Sequence, residues 1–541
     1  MPLRIRASPN HHTFGNGNIN TEGCTAGGQG DAPDSPHRNQ PRNLVDPHNH
    51  SQGHGDGHDQ GTVAGTGLHP RHPSQRRYSR ASSRRASAAT VNYHVPDDYA
   101  NLEASNISPV QNPDEDPITR LDTLEQVRSR DRDYIRQRRQ EPQEPESSAA
   151  EDYEREKQAG VVAKRHKVSR LATELYTISY LIFFSLLGTL ARLGLQALTS
   201  SYPQTPIIFP SIWPNFTGCV VMGFLAEDRM LFRQPDWDQS SSTQPNSNKD
   251  DDDDEESHVD PAAAKKAHMA LKKTIPLYIG LATGFCGSFT SFSSFIRDIF
   301  LALSNDLAAA HDPTAGPVSR NGGYSFMALL AVIITTISLS LSGLFVGAHL
   351  AIAVATLFTR FDLGLPYTFV SRILDRLIVL LGFGCWLGAV LLSIWPPDRH
   401  SNREQNERWR GAATFALVFA PLGCLTRFYA SALLNGRLPS FPLGTFVVNM
   451  LGTAVLGMAW DLNHVPSLGG VVGCQVLQGV ADGFCGCLTT VSTWVSELAA
   501  LRRRHAYVYG GASVAGGLAL MVVIMGSLRW TEGFGEVKCI S

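Results

Sequence analysis

After residue 170, long apolar stretches alternate with short polar ones, and this pattern predicts helices that cross a bilayer. A transmembrane helix needs about 20 consecutive, mostly apolar residues. Nine stretches fit this requirement, and we number them as spans 1 to 9 in chain order. They cover residues 171–198, 206–232, 275–303, 325–358, 373–395, 411–434, 441–463, 470–500 and 507–529. The pattern therefore predicts an all-α polytopic membrane protein, with the lipid bilayer as its surroundings.

The first part of the chain has a different composition. Residues 1–168 are polar and interrupted by Pro, Gly, Ser and His. Such a segment buries too little apolar surface to offset its chain entropy, so we expect a disordered tail. The histidines at 48–58 suit weak metal binding, although a solvated tail explains them better. Ser79, Ser82 and Ser87 lie among arginines, as in targets of basophilic kinases, and a solvated basic linker explains this stretch equally well.

Charged residues between the spans indicate the orientation of the chain. Lys and Arg concentrate on the cytosolic side of membrane proteins. The basic stretch 164–170 precedes span 1, and this predicts a cytosolic N-terminus. The arginines at 502–504 then also lie inside. The loop at 397–410 carries four arginines and lies outside, which is a mild conflict. The acidic run at 250–256 is expected to be part of a solvated loop.

A twelve-residue motif occurs twice, each time inside a predicted span. The copies are GFCGSFTSFSSF at 284–295 and GFCGCLTTVSTW at 483–494. Glycines, hydroxyl residues and β-branched or aromatic residues make both copies poor helix formers. A weak helix at membrane depth is tolerated only where its backbone groups face protein, water or an ion. The motif therefore indicates a functional centre.

The repeat extends to whole halves of the membrane part. Residues 188–192 match 423–427, and Asn215 matches Asn449, with glycines at the same spacing after each asparagine. Span 5 alone separates the halves, so the second half enters the membrane inverted. We expect two inverted four-helix repeats about a pseudo-two-fold axis in the membrane plane. The predicted parts are a first unit at 171–358, a linker with one span at 359–410, a second unit at 411–530 and a C-terminal tail at 531–541.

Polar and aromatic residues at membrane depth provide candidate chemistry. The amides of Asn215 and Asn449 must be paired when buried, and their NH2 groups can donate to an anion or hold two helices together. Phe292 and Phe295 share a helix face. The electropositive rims of their rings favour a small anion, although ordinary aromatic packing is the alternative.

The glycine–threonine pattern of the motif suits a break in the helix. Gly287 and Thr290 in the first copy, with Gly486 and Thr489 in the second, can free backbone carbonyls. Two breaks facing each other would offer about four oxygens, which suits a small hard cation such as Na+. Close crossing of helices is an alternative reason for the glycines.

Several function classes lack support. The spans contain no catalytic carboxylate pair, nucleotide-binding loop or nucleophile–base set, so we expect neither an enzyme nor a nucleic-acid partner. Few charged residues lie deep in the spans, which disfavours carboxylate relays for protons. The alternative to a channel is an ion-coupled secondary transporter of a small solute or anion, which also uses inverted repeats.

The paired motifs, each with an upstream Asn-x-x-Gly and a Gly-x3-Arg, resemble the bacterial CrcB (Fluc) fluoride channels. Two such units joined by one helix resemble the eukaryotic fluoride export (FEX) family, and the resemblance covers about residues 171–530. It implies a passive, highly selective plasma-membrane channel that exports F- and confers fluoride resistance. It also implies that one chain functions as a monomer with two pseudo-symmetric halves.

The same resemblance implies roles for individual residues. A structural, central Na+ would be held by backbone carbonyls at Gly287, Thr290, Gly486 and Thr489. The fluoride pore would be lined by Asn215, Asn449, Phe292, Phe295, Ser293, Thr490 and Ser513, with Ser338 and Ser342 as further candidates. Arg192 and Arg427 would lie near a vestibule or a helix end. Val491 and Trp494 replace the phenylalanines in the second copy, so we expect one good pore and one degraded pore.

Overall fold

Helices dominate the part of the chain that the computed structural model describes. The described residues are 91–102, 124–140, 166–200, 209–228, 231–232, 270–307, 320–361, 370–395, 413–465 and 470–535. Two three-residue strands, β1 (Val91–Tyr93) and β2 (His166–Val168), pair in parallel. A 3-10 helix, Asp97–Asn101, and α1, Leu124–Gln140, precede the membrane part.

Two sets of helices, with one helix between them, form the membrane part. The first set is α2 (Arg170–Ser200), α3 (Ile212–Glu227), α4 (Pro276–Ile279, continuing through Gly280–Cys286 and Gly287–Phe289), α5 (Phe292–Ser304) and α6 (Gly322–Phe361). A π-helical turn, Val370–Leu374, leads into α7, Asp375–Ile394. The second set is α8 (Phe415–Leu434), α9 (Leu443–His464), α10 (Gly470–Gly479, continuing through Val480–Cys485 and Gly486–Leu488), α11 (Ser492–Ala500) and α12 (Arg503–Thr531).

Eight helical segments within the described residues are long and apolar enough to cross a membrane. They correspond to every predicted span except span 2, whose helix α3 has 16 residues. At 1.5 Å per residue α3 is about 24 Å long, less than the hydrocarbon thickness of about 30 Å. The all-helical membrane fold is confirmed, and the count of nine crossings stays a prediction.

Both copies of the twelve-residue motif interrupt their helices, as predicted. The first break, residues 290–291, separates α4 from α5, and the second break, residues 489–491, separates α10 from α11. Thr290 has φ −93° and ψ 151°, and Thr489 has φ −95° and ψ 151°. These extended angles stop the helix at the same point in both copies. A π-helical segment precedes each break and ends at a cysteine.

The two sets of helices pack reciprocally. Within the sets, α3 packs on α6 and α9 packs on α12. Between the sets, α5 packs on α9 and α12, while α11 packs on α3 and α6. Helix α7 lies against α2 and α8, and its large apolar residues are exposed as on a lipid-facing helix. This exchange of the helices after each break matches the predicted pair of four-helix repeats.

Part of the predicted disordered tail is ordered, which corrects the prediction for residues 91–102, 124–140 and 166–168. Tyr93, Val95 and Tyr99 are each at most 5% exposed. Apolar contact with the membrane part orders these residues, and the polar average over the tail concealed them. The serines at 79, 82 and 87, the histidine tract at 48–58 and the acidic run at 250–256 lie outside the described residues.

Candidate functional site

Thr290 in the first break caps the helix that follows the second break. Its Oγ1 donates to the carbonyl oxygen of Cys286 at 3.1 Å. The same oxygen accepts from the backbone N–H of Val491 at 3.2 Å and of Ser492 at 3.1 Å. The first N–H groups of a helix have no partner inside the helix, so Thr290 stabilises the start of α11 from the other half of the protein.

Thr489 has the reciprocal role. Its Oγ1 donates to the carbonyl oxygen of Cys485 at 2.9 Å and accepts from the backbone N–H of Ser293 at 3.1 Å. The Ser293 hydroxyl also lies 3.0 Å from Thr489 Oγ1. The two breaks therefore face each other, which is the arrangement that the predicted cation site requires, and the two threonines join them.

The breaks also release backbone carbonyls. Because ψ is extended at Thr290 and Thr489, their carbonyl groups turn away from the helix direction. Among the described residues, no backbone N–H donates to either of these two oxygens. Carbonyl oxygens of this kind are suitable ligands for a small hard cation. The donor set at the break therefore fits the predicted Na+ at two of its four positions.

Arg427 occupies the space beside Gly287. It is 2% exposed, and it donates from Nε to the Cys487 carbonyl at 2.8 Å and from Nη2 to the Thr283 carbonyl at 2.7 Å. A Cβ at Gly287 would collide with the guanidinium group. The glycine is therefore required for close approach of an arginine from the other half.

Arg192 makes the matching contact with the second break. It is 1% exposed, donates to the Asp482 carbonyl, and leaves no room for a Cβ at Gly486. Arg427 thus binds a carbonyl in the last turn before the second break, which agrees with the predicted place near a helix end, and the vestibule role of Arg192 and Arg427 stays a prediction. Each guanidinium group is buried where the halves meet, because the glycines expose carbonyl oxygens that a buried cation requires.

The two asparagines bind the backbone of the breaks. Asn215 Oδ1 accepts from the N–H of Ser291 at 2.9 Å, and its Nδ2 donates to the carbonyl of the same residue at 3.5 Å. Asn449 pairs with Thr490 in the same way, at 2.9 and 3.4 Å. Each amide replaces hydrogen bonds that the broken helix lacks, and each Nδ2 keeps a second hydrogen for another acceptor.

Aromatic rings from both halves meet beside the breaks. The ring centroids of Phe292 and Phe295 are 5.8 Å apart at 79°, and those of Phe292 and Trp494 are 5.3 Å apart at 67°. All three side chains are fully buried. Trp494 Nε1 has no hydrogen-bond partner among the described residues. The edges of the rings and this N–H provide positive charge without an ionised group.

The structure corrects the predicted hydroxyl track on α6. Ser338 and Ser342 are exposed on the outer face of that helix. In the central part of α6 the buried hydroxyls are those of Thr336 and Ser340, one turn apart, and the Ser340 hydroxyl faces the buried thiol of Cys219. Gly343 lies next to the same inner face, where a Cβ would be 2.8 Å from the Phe216 carbonyl. Small residues for close helix contact were the signal that could have located this face.

The packing divides the candidate residues into two groups. Because α5 packs on α9 and α12, Phe292 and Phe295 belong with Asn449 and Ser513. Ser513 is fully buried, and its hydroxyl donates to a carbonyl within its own helix at 2.7 Å. Because α3 packs on α6, Asn215 belongs with the buried hydroxyls of α6, while α11 packs on α3, α6 and α12 and therefore borders both groups. The sequence alone left this assignment open.

Comparison with known proteins gives the same division of the chain. The family model described as CrcB-like protein, Camphor Resistance (CrcB), matches residues 179–348 and 414–526, which are the two sets of helices. Fluoride export protein 1 of Neurospora crassa is 87% identical over 526 residues, which are 96% of this chain and 99% of that protein.

More distant relatives match as well. Fluoride export protein 1 of Candida albicans is 34% identical over 64% of this chain and 78% of its own length. The fluoride-specific ion channel FluC of Pseudomonas paraeruginosa is 32% identical over 23% of this chain and 98% of its own length, so a bacterial relative has the size of one half. No solved structure matches the chain. The duplicated match and the full-length similarity show that this chain belongs to the CrcB family.

Proposed function

We propose that this protein is a passive, highly selective fluoride channel that exports F- from the cytosol across the plasma membrane. The observation that carries the proposal is the 87% identity, across nearly the whole chain, to a protein named for fluoride export. The geometry supports it, because the site combines buried aromatic edges, an indole N–H and hydroxyl groups. These neutral donors replace the water of a small anion without an ionised group that would hold it.

Acid–base chemistry explains why a passive channel is sufficient. HF crosses the membrane as a neutral acid and dissociates in a near-neutral cytosol, so fluoride accumulates as the anion. An inside-negative potential favours outward movement of F- by about 2.3 kcal/mol per 100 mV. Export therefore requires no coupling to ATP or to a second ion.

We assign the conducting pathway to the group that contains the phenylalanines. Phe292, Phe295, Asn449 and Ser513 lie on α5, α9 and α12, which pack together. Ser293 and Thr490 belong to the adjacent breaks, and Thr490 binds the amide of Asn449. The pathway beside Asn215 lacks the phenylalanine pair, so it is the degraded one in this proposal.

We further propose a structural Na+ between the breaks. The carbonyl oxygens of Thr290 and Thr489 are its ligands, and Gly287 and Gly486 belong to the same two segments. One chain contains both halves, so the proposed working form is a monomer with a cytosolic N-terminus. Phosphorylation of Ser79, Ser82 and Ser87 remains a proposal from the sequence, since these serines lie outside the described residues.

Fluoride efflux from liposomes containing the purified chain tests the function. With a fluoride-selective electrode, we expect efflux driven by a potassium potential, and none of chloride under the same conditions. A coupled transporter of a small solute or anion would instead follow an imposed proton or sodium gradient. Efflux that required such a gradient, or equal chloride efflux, would contradict the channel.

A further inference from the structure

Helix α1 is anchored against the ends of membrane helices. Lys273, just before α4, binds Asp131 of α1 at 3.0 Å. Arg128 of α1 donates from Nη1 to the carbonyl of Asn435 at 2.7 Å. The predicted topology places these helix ends on the cytosolic side. The N-terminal segment therefore contributes side chains to the cytosolic end of the membrane part.

Arg128 enters a buried polar cluster around Glu497 of α11. Glu497 is fully buried, and it accepts from Thr445 at 2.9 Å and from the Tyr509 hydroxyl at 2.8 Å. Arg128 is 2% exposed, and its Nη2 lies 3.9 Å from a carboxylate oxygen of Glu497. The cluster holds one positive and one negative charge out of contact with water.

This cluster continues the group of residues that we assign to the conducting pathway. Ser513 donates to the carbonyl of Tyr509 at 2.7 Å, and Tyr509 donates to Glu497. Glu497 also follows Trp494 by three residues on α11, so the two share a helix face. The cluster is therefore about one helical turn from the aromatic rings, toward the cytosol.

The guanidinium of Arg128 has unused donors. Among the described residues, its Nε and Nη2 have no hydrogen-bond partner. Burial lowers the pKa of Arg128, and the nearby Glu497 carboxylate opposes that shift. Arginine keeps its charge in proteins and can only donate, so the unused N–H groups fit an anion. Because Glu497 offsets the positive charge, an anion bound there can leave again.

We propose that Arg128 of the N-terminal helix binds fluoride at the cytosolic end of the conducting pathway, through the Nε–H and Nη2–H groups that make no hydrogen bond to the described residues. This inference rests on the proposed channel function. It makes the segment before the first membrane helix part of the permeation site, although that segment lies outside both matches to the CrcB family model.

A binding measurement on the wild-type, full-length chain tests the proposal directly. The arginine Nε–H signals of the 15N-labelled protein are recorded by NMR during titration with sodium fluoride. The signal that disappears in Arg128→Lys is that of Arg128. We expect this signal to move downfield with fluoride and to stay in place with chloride. A signal that does not move at fluoride concentrations that support efflux would overturn the proposal.

Efflux from liposomes gives a second, separate test. Arg128→Gln should lower fluoride efflux about tenfold or more, since it removes charged donors. Arg136→Gln is the matched control on the same helix, because Arg136 is 57% exposed and pairs with Asp97 at the surface. We expect it to leave efflux unchanged. Unfolding temperatures close to that of the wild type show that the variants fold.

The double variant Arg128→Gln with Glu497→Gln separates binding from simple neutralisation. If Arg128 only offsets the charge of Glu497, removing both charges restores efflux, which would overturn the proposal. If Arg128 donates to fluoride, efflux stays low. If the wild-type protein shows no fluoride efflux, the channel function itself is refuted.

Discussion

Replacing Thr290 by Val tests whether the two halves are joined through their breaks. Valine has nearly the shape of threonine but no hydroxyl. The backbone N–H groups of Val491 and Ser492 would lose an acceptor that lies 3.2 and 3.1 Å away. Both residues are fully buried, so water cannot replace it. Leaving a buried donor unpaired costs about 1–3 kcal/mol.

Two unpaired donors together cost about 2–6 kcal/mol. We expect Thr290→Val to lower the free energy of unfolding by about 2–4 kcal/mol, in the lower part of this range. Hydrogen bonds between membrane helices average only about 0.6 kcal/mol, which favours that lower part. Thr489→Val should cost roughly half as much, because Thr489 accepts from one backbone N–H, that of Ser293 at 3.1 Å. The ratio of the two costs is therefore part of the prediction.

Reversible unfolding in mixed detergent, followed by circular dichroism, measures the effect. Thr426→Val is the matched control, because Thr426 is exposed and its hydroxyl donates to the Leu422 carbonyl in its own helix at 2.8 Å. It should change the free energy by less than about 0.5 kcal/mol. If Thr290→Val were no more destabilising than this control, the breaks would not hold the halves together.

Three further substitutions test the pathway, each with fluoride efflux from liposomes as the measurement. Phe292→Ile should abolish efflux by removing an aromatic edge, while replacing Val491 should matter much less; equal loss from both would contradict a single working pathway. Trp494→Phe removes one buried N–H and keeps a ring, so efflux should fall about fivefold to tenfold, and unchanged efflux would exclude the indole as a donor. Gly287→Ala should abolish efflux, because its Cβ collides with a buried guanidinium, whereas Gly322→Ala, in open space, should be neutral.

The sequence alone predicted the membrane helices and the duplicated break. Both depend on local features: runs of apolar residues, and glycine and hydroxyl residues within a few positions of one another. The equal spacing of Asn215 and Asn449 from their glycines also indicated equivalent roles, and the structure shows the same pairing with a broken backbone in both halves. Such local patterns can be read before the chain folds.

The tertiary structure alone decided which faces and which distant residues meet. Hydroxyl residues occur on more than one side of helix α6, so no single polar stripe marked its inner face, and packing selected Ser340 instead of Ser338. Arg192 contacts Gly486, far away in the chain, because the two halves exchange their contacts at the breaks. Arg128 lies in a segment whose composition indicates disorder, and only its fit against the membrane helices orders it. The sequence thus determined the helices and the repeat, while packing between distant segments determined the site.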